Sequence, residues 1–143
     1  MTNTRRQNTQ NTTRTTRHAS CIRDTNEATL RKATSLANSA YRKYRHAWRE
    51  WEETSALYGA YSPEWKEAEQ KHNEAELAWE DADRTRTLVA EWCEYWEDSE
   101  WDCDCRLTET KLADLHDTYT RLMRDGYMPN DARMEAVSIV AGA

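Results

Sequence analysis

The chain has 143 residues, a length that suits one domain, and its aliphatic supply is thin: nine Leu, three Val, two Ile and no Phe. Aliphatic content that low with a net charge of −6 ordinarily leaves a chain unfolded, but seven Trp, seven Tyr, four Met and eighteen Ala compensate. Three Gly and two Pro are too few for the turns of a sheet protein. No apolar run approaches the roughly 18–20 residues of a membrane span, and no apolar stretch behind Met1 reads as a secretory signal.

A buried aromatic hides roughly 150–250 Å², and small Ala residues between aromatics let helix backbones approach closely. The expected core is therefore aromatic and alanine-based, on helices. Charge is strongly segregated along the chain. Residues 1–49 carry eleven basic and two acidic side chains, net +9, and residues 50–104 carry four basic and eighteen acidic, net −14. Fifteen Arg against five Lys, with no Phe and two Ile, suggest a GC-rich coding source. A small protein of a phage or mobile element fits that bias.

Residues 1–20, "MTNTRRQNTQNTTRTTRHAS", show no periodicity and little to bury, so the sequence predicts a flexible basic arm ahead of one helical domain over 21–143. A first helix is expected over about 24–58, opened by Asp24 as N-cap with Glu27 at N3. Its heptad places Leu30, Ala37, Tyr44, Trp51 and Tyr58 at one core position, and Ala33, Ala40 and Ala47 at the other. Gly59 suits the residue after the helix end. In "YSPEW", Ser62 is the next N-cap, Pro63 takes the first helical position and Glu64 favours the positive helix end.

The second helix, about 63–98, buries a stripe of Trp65, Ala68, His72, Ala75, Trp79, Ala82, Val89, Trp92 and Trp96, slipping at Thr85 and Arg86. A four-residue connection makes the two helices antiparallel neighbours, coiled-coil-like, with partner positions adding to about 120. Arg42, Lys43 and Arg45 are then expected beside Glu74, Glu76 and Glu80, and Arg31 and Lys32 beside Glu91. Such exposed pairs contribute only ~0.2–1 kcal/mol each, but together they favour the basic helix meeting the acidic one. Leu107 and Leu112 staple a third helix, about 108–125, capped by Thr108, with a stripe of Leu112, Leu115, Tyr119 and Leu122 and an end at Gly126. Pro129 and Asn130 open a fourth, about 130–140, with Ala136, Val137 and Val140 as its apolar face. The expected fold is all-α: a long antiparallel helical hairpin with two shorter helices docked on it.

The hairpin register gathers Cys21, Cys93, Cys103 and Cys105 at its open end, with His18 close by. Zinc takes four convergent thiolate or imidazole ligands, so these five are the candidate zinc set, His18 as the substitute ligand. Free reduced thiols come ahead of zinc, and one or two disulfides are the third reading. The acids Asp102 and Asp104 would favour a cation but raise the thiol pKa values, against reactive-thiolate chemistry. No other cofactor is indicated.

Two stretches suit nucleic acid. The arm offers Arg5, Arg6, Arg14, Arg17 and Arg23 with no local acid among the first 23 residues. "YRKYRHAWREW" interleaves Arg42, Lys43 and Arg45 with rings that could stack on bases, although Tyr44 and Trp51 also belong to the core seam. Conversely, Glu67, Glu74, Glu80, Asp81, Glu94, Glu97 and Asp98 form an acidic partner face able to imitate a phosphate backbone.

Nothing catalytic stands out: three glycines cannot build a phosphate loop, and Gly-x-Ser-x-Gly and His-Glu-x-x-His do not occur. His116-Asp117 lacks the further ligands of a metal phosphohydrolase, His72 falls on the core stripe and His46 on the helix surface. The sequence thus predicts a cytoplasmic, non-catalytic interaction protein, in a host cell if phage-encoded. It would bind a protein partner through helix faces and its basic arm, with self-association through exposed rings. Nucleic-acid binding is the alternative, acidic mimicry the second, and no membrane partner is expected.

Overall fold

The computed structural model describes the backbone of residues 10–97 and 105–142, and the side chains of residues 25–97 and 105–142. Four helices and no strand occur among the described residues: α1 (Gln10–Tyr58), α2 (Pro63–Tyr95), α3 (Glu109–Arg124) and α4 (Pro129–Gly142). The fold is all-α, a hairpin of two long antiparallel helices with two shorter helices docked on it. The chain divides into two compact units, Lys32–Arg86 and Met1–Arg31 with Thr87–Ala143. The division falls at Arg86, where the apolar stripe of α2 slips in the sequence.

The first helix opens earlier than its capping signal. Helical backbone is already present at Gln10, so Asp24 lies inside α1 and caps nothing. A capping box starts a helix only where the chain ahead resists helix, and residues 10–23 contain neither Gly nor Pro. Part of the expected arm is therefore helical, while residues 1–9 lie outside the described residues.

The hairpin unit, Lys32–Arg86, is closed by aromatic rings over alanine. Tyr41 meets Trp79 with ring centroids 5.2 Å apart, and Trp48 meets His72 at 5.5 Å; both pairs of positions add to 120, the register the short turn implies. Tyr44 stacks on Trp79 at 5.1 Å with planes 16° apart. Ala33, Ala37 and Ala47 are buried between the larger residues. At the turn, Gly59 (φ 86°) and Tyr61 (φ 69°) both take left-handed backbone. Glycine does so freely, whereas tyrosine accepts strain there. Ser62 then caps α2 as expected: its hydroxyl accepts from Trp65 N–H at 3.1 Å. The heptad's last member, Tyr58, does not join the seam and is 60% exposed, because the helix ends at that residue and leaves its ring nothing to pack against.

The second unit is organised by a buried amide. Asn26 of α1 donates from Nδ2 to the Cys105 carbonyl at 2.8 Å and accepts the Leu107 N–H on Oδ1 at 3.0 Å. The Trp92 indole of α2 donates to the same Cys105 carbonyl at 2.7 Å. The segment before α3 is thus held by side chains from both long helices. Leu88, Val89, Trp92, Leu115 and Val137 are its largest fully enclosed side chains. Thr108 caps α3 as its spacing implied, accepting from Lys111 N–H at 3.2 Å. Gly126 (φ 98°) ends it, with Tyr127 N–H closing back on the Leu122 carbonyl at 3.0 Å. On α4, Ala132, Ala136 and Val137 face the core.

Replacing Asn26 tests this arrangement. Asn26→Ala strands the Leu107 N–H and removes one of two donors to Cys105, at a cost of about 2–3 kcal/mol. Asn26→Asp keeps the acceptor for Leu107 but points a carboxylate at a carbonyl. Its loss of stability in urea unfolding should be partly recovered at low pH, where a protonated carboxyl can donate to Cys105.

Candidate functional site

Of the expected zinc set, the side chains of Cys93 and Cys105 are described, and neither is in a disulfide among the described residues. They meet around Asn26: the Cys93 thiol donates to the Asn26 carbonyl at 3.7 Å, and the Cys105 carbonyl accepts the Asn26 amide. Cys21 and His18 lie on α1 with side chains outside the described residues, and Cys103 lies outside them altogether. No group of three or more His, Cys, Asp or Glu is placed to hold a metal among the described residues. Burial first, and Glu27 second, raise the Cys93 thiol above its ordinary range. Cys93 and Cys105 thus lie beside the Asn26 hub.

The basic and acidic faces present separately. Arg42, Lys43 and Arg45 are exposed. Arg45 donates to the Tyr41 hydroxyl at 3.1 Å on its own helix and lies over that ring at 5.9 Å. Arg42 and Lys43 make no ion pair among the described residues, so the expected pairing with Glu74, Glu76 and Glu80 does not form. Glu74 accepts instead from Gln70 at 3.2 Å, and Glu91 pairs with Arg133 of α4 at 3.4 Å rather than with Arg31 or Lys32. For Arg45 and Glu74 the partner taken lies four residues away on the same helix, already in reach, whereas Glu91 is met by a residue of another helix. Arg14, Arg17 and Arg23 belong to α1 with side chains outside the described residues, as Arg5 and Arg6 are entirely. Glu67, Glu74, Glu80, Asp81, Glu94 and Glu97 are exposed as the acidic face requires, and Asp98 lies outside the described residues.

His72 is buried as expected, its ring 4.7 Å from that of Trp51 and 5.3 Å from that of Tyr44. Its Nδ1 faces Asn73 Oδ1 at 3.3 Å. Its Nε2 and the Trp51 Nε1 are buried without a hydrogen-bond partner. His46 is a surface residue, paired with Glu50 at 3.1 Å.

One feature escaped the sequence reading. The closed end of the hairpin holds a groove of about 280 Å³. Carboxylates line it from both helices, Glu50 and Glu53 of α1 and Glu64 and Glu67 of α2, with Leu57, Tyr58 and Lys71 beside them. The signal lay in "EWEETSALYGAYSPEWKE", where acids flank the turn on both sides, five to nine residues from Gly59. Only Glu67 had been assigned to a partner face. Comparison with family models, curated proteins and solved structures returned no match.

The raised Cys93 thiol has a testable consequence. A group whose folded pKa is raised stabilises below its unfolded value and loses that contribution as pH rises through the folded one. Thermal stability should therefore fall above about pH 8.5, where an unfolded thiol ionises, and Cys93→Ala should flatten that limb. Peptide-mapped alkylation of Cys93 should also be slower in the folded chain than in urea.

Proposed function

We propose that this chain is a non-catalytic helical interaction protein that binds a protein partner through the faces of its hairpin. The observation that carries this reading is the company kept by its exposed apolar side chains. Leu77 is 67% exposed on α2 among exposed Glu74 and Glu80, and Leu36 and Trp48 are exposed on α1. Large apolar groups beside unpaired charge form surfaces a partner can cover. Such a protein needs no cofactor and fits a cytoplasm, that of a host cell if a phage or mobile element encodes it. No helix among the described residues is long and apolar enough to cross a membrane.

The alternative is nucleic-acid binding, favoured by exposed Tyr41 beside Arg42, Lys43 and Arg45. A partly exposed ring next to Arg42 and Lys43, which make no ion pair among the described residues, suits base stacking with phosphate contact. The third reading, mimicry of a phosphate backbone, draws on the exposed carboxylates of α2.

Affinity capture on full-length protein separates the three. Retention of a discrete protein set that survives nuclease treatment, and drops at least tenfold with Leu77→Ser, is expected. Retention abolished by nuclease, with gel shifts that weaken steeply as salt rises, would move the assignment to nucleic acid. A retained partner released by added DNA or RNA would identify mimicry. The absence of both a retained partner and a gel shift would overturn the reading.

A further inference from the structure

We infer that the groove at the closed end of the hairpin receives the arginine-rich N-terminal segment of a second copy of this chain, in a head-to-tail contact. The inference rests on the reading of the chain as an interaction protein and names one of its partners as itself. Four carboxylates and one ammonium, Lys71, line the groove. Glu53, Glu64 and Glu67 make no ion pair among the described residues, and Glu50 meets only His46. Beside them Leu57 is 77% exposed and Tyr58 60%. A cation that is flat and carries an apolar stem satisfies all of these at once. Guanidinium donates in parallel to a carboxylate, lies over a tyrosine ring and lays its methylenes along a leucine. An ammonium or a wholly apolar segment satisfies only part of the lining.

This chain contains the matching segment. Residues 1–23 carry Arg5, Arg6, Arg14, Arg17 and Arg23 and no acid. Residues 10–23 continue without interruption into the same helix that supplies Glu50–Tyr58 to the groove. Segment and groove are opposite in charge, and the groove of one molecule is open to the segment of another. Each copy offers one groove and one segment, so the contact is heterologous and propagates into chains or closes into rings.

Sedimentation of the full chain tests it, at about 0.1 M and about 1 M salt, between which the screening length falls from about 10 to about 3 Å. The expected result is a weight-average mass that rises with concentration at low salt and returns to that of one chain at high salt. Glu53→Lys with Glu67→Lys should weaken association at least tenfold, and so should Arg14→Glu with Arg17→Glu. Circular dichroism verifies that each variant keeps its helix. Mixing the two charge-reversed variants should restore association, since each then offers what the other accepts. A single-chain mass at every concentration, unaltered association in both variants, or a mixture that stays dissociated would overturn the contact. If the chain stays single but its captured partners are lost on Glu53→Lys with Glu67→Lys, the groove's occupant is a different protein. The head-to-tail contact then falls while the interaction reading stands.

Discussion

The Asn26 carboxamide is buried with 4% of its surface exposed, and both its donor and its acceptor are matched by main-chain groups of the segment entering α3. A buried amide without partners would destabilise the fold by about 1–3 kcal/mol per group, so this side chain tolerates burial only while residues 105–107 hold their present path. The Trp92 indole converges on the same Cys105 carbonyl, which uses both lone pairs of that oxygen. Few backbone positions satisfy two donors from two helices at once. The direction of the chain into α3 is set there, and the caps, staple and apolar contacts that follow depend on that direction. Leu107 is carried into the core by the bond to its N–H, and Lys111, one turn into α3, places its ammonium 5.7 Å from the centre of the Trp92 ring.

The hairpin unit solves a different problem, a shortage of aliphatic residues. Tyr44, Trp51, Trp65, His72 and Trp79 take the role that Leu and Ile play in most helical seams, and the alanines opposite them leave room for the rings. Rings bring polar edges into the seam. Burial, and then Glu76, hold the Tyr44 phenol above the usual range, so it stays neutral in the seam. Trp51 Nε1 and His72 Nε2 show the hydrogen-bonding cost, since both are buried without a partner. A seam of this kind gains specificity from ring geometry, because the tilted and stacked pairs fix the register in a way that interchangeable leucines would not.

Periodic and capping features were legible because they rest on neighbours in sequence. The heptad from Ala33 to Trp51, the Ser62 and Thr108 caps and the stripe of α3 all depend on spacing within a few turns. Asn26 was not legible. A single Asn in a polar stretch reads as a surface residue, and its partners lie 79 and 81 positions away. Leu88 was missed for a related reason: it stands two residues past the slip in the α2 stripe at Thr85 and Arg86, yet it is completely enclosed. The start of α1 was misplaced because a capping box is a local preference, and continued helix over Gln10–Arg23 outweighs it. Of the interaction surfaces, the exposed charges of both long helices were readable from charge segregation. The groove was not, because it needs the turn to bring Glu50 and Glu53 beside Glu64 and Glu67.

Charge segregation turns out to do little inside the fold. The described ion pairs join residues three or four positions apart on one helix, or join Arg133 to Glu91. None links the basic stretch around Arg42 to the acids of α2. Exposed pairs of that sort are worth only ~0.2–1 kcal/mol, so their absence leaves the aromatic seam as the stabilising contact in the hairpin unit. Over distances within the screening length of about 8–10 Å, the two stretches can still bias the antiparallel pairing without touching. Arg42 and Lys43 on one side and Glu67 and Glu80 on the other are exposed and make no ion pair among the described residues, which leaves both signs of charge displayed. A chain that packs through rings and keeps these charges outside separates the forces that fold it from the charge it displays.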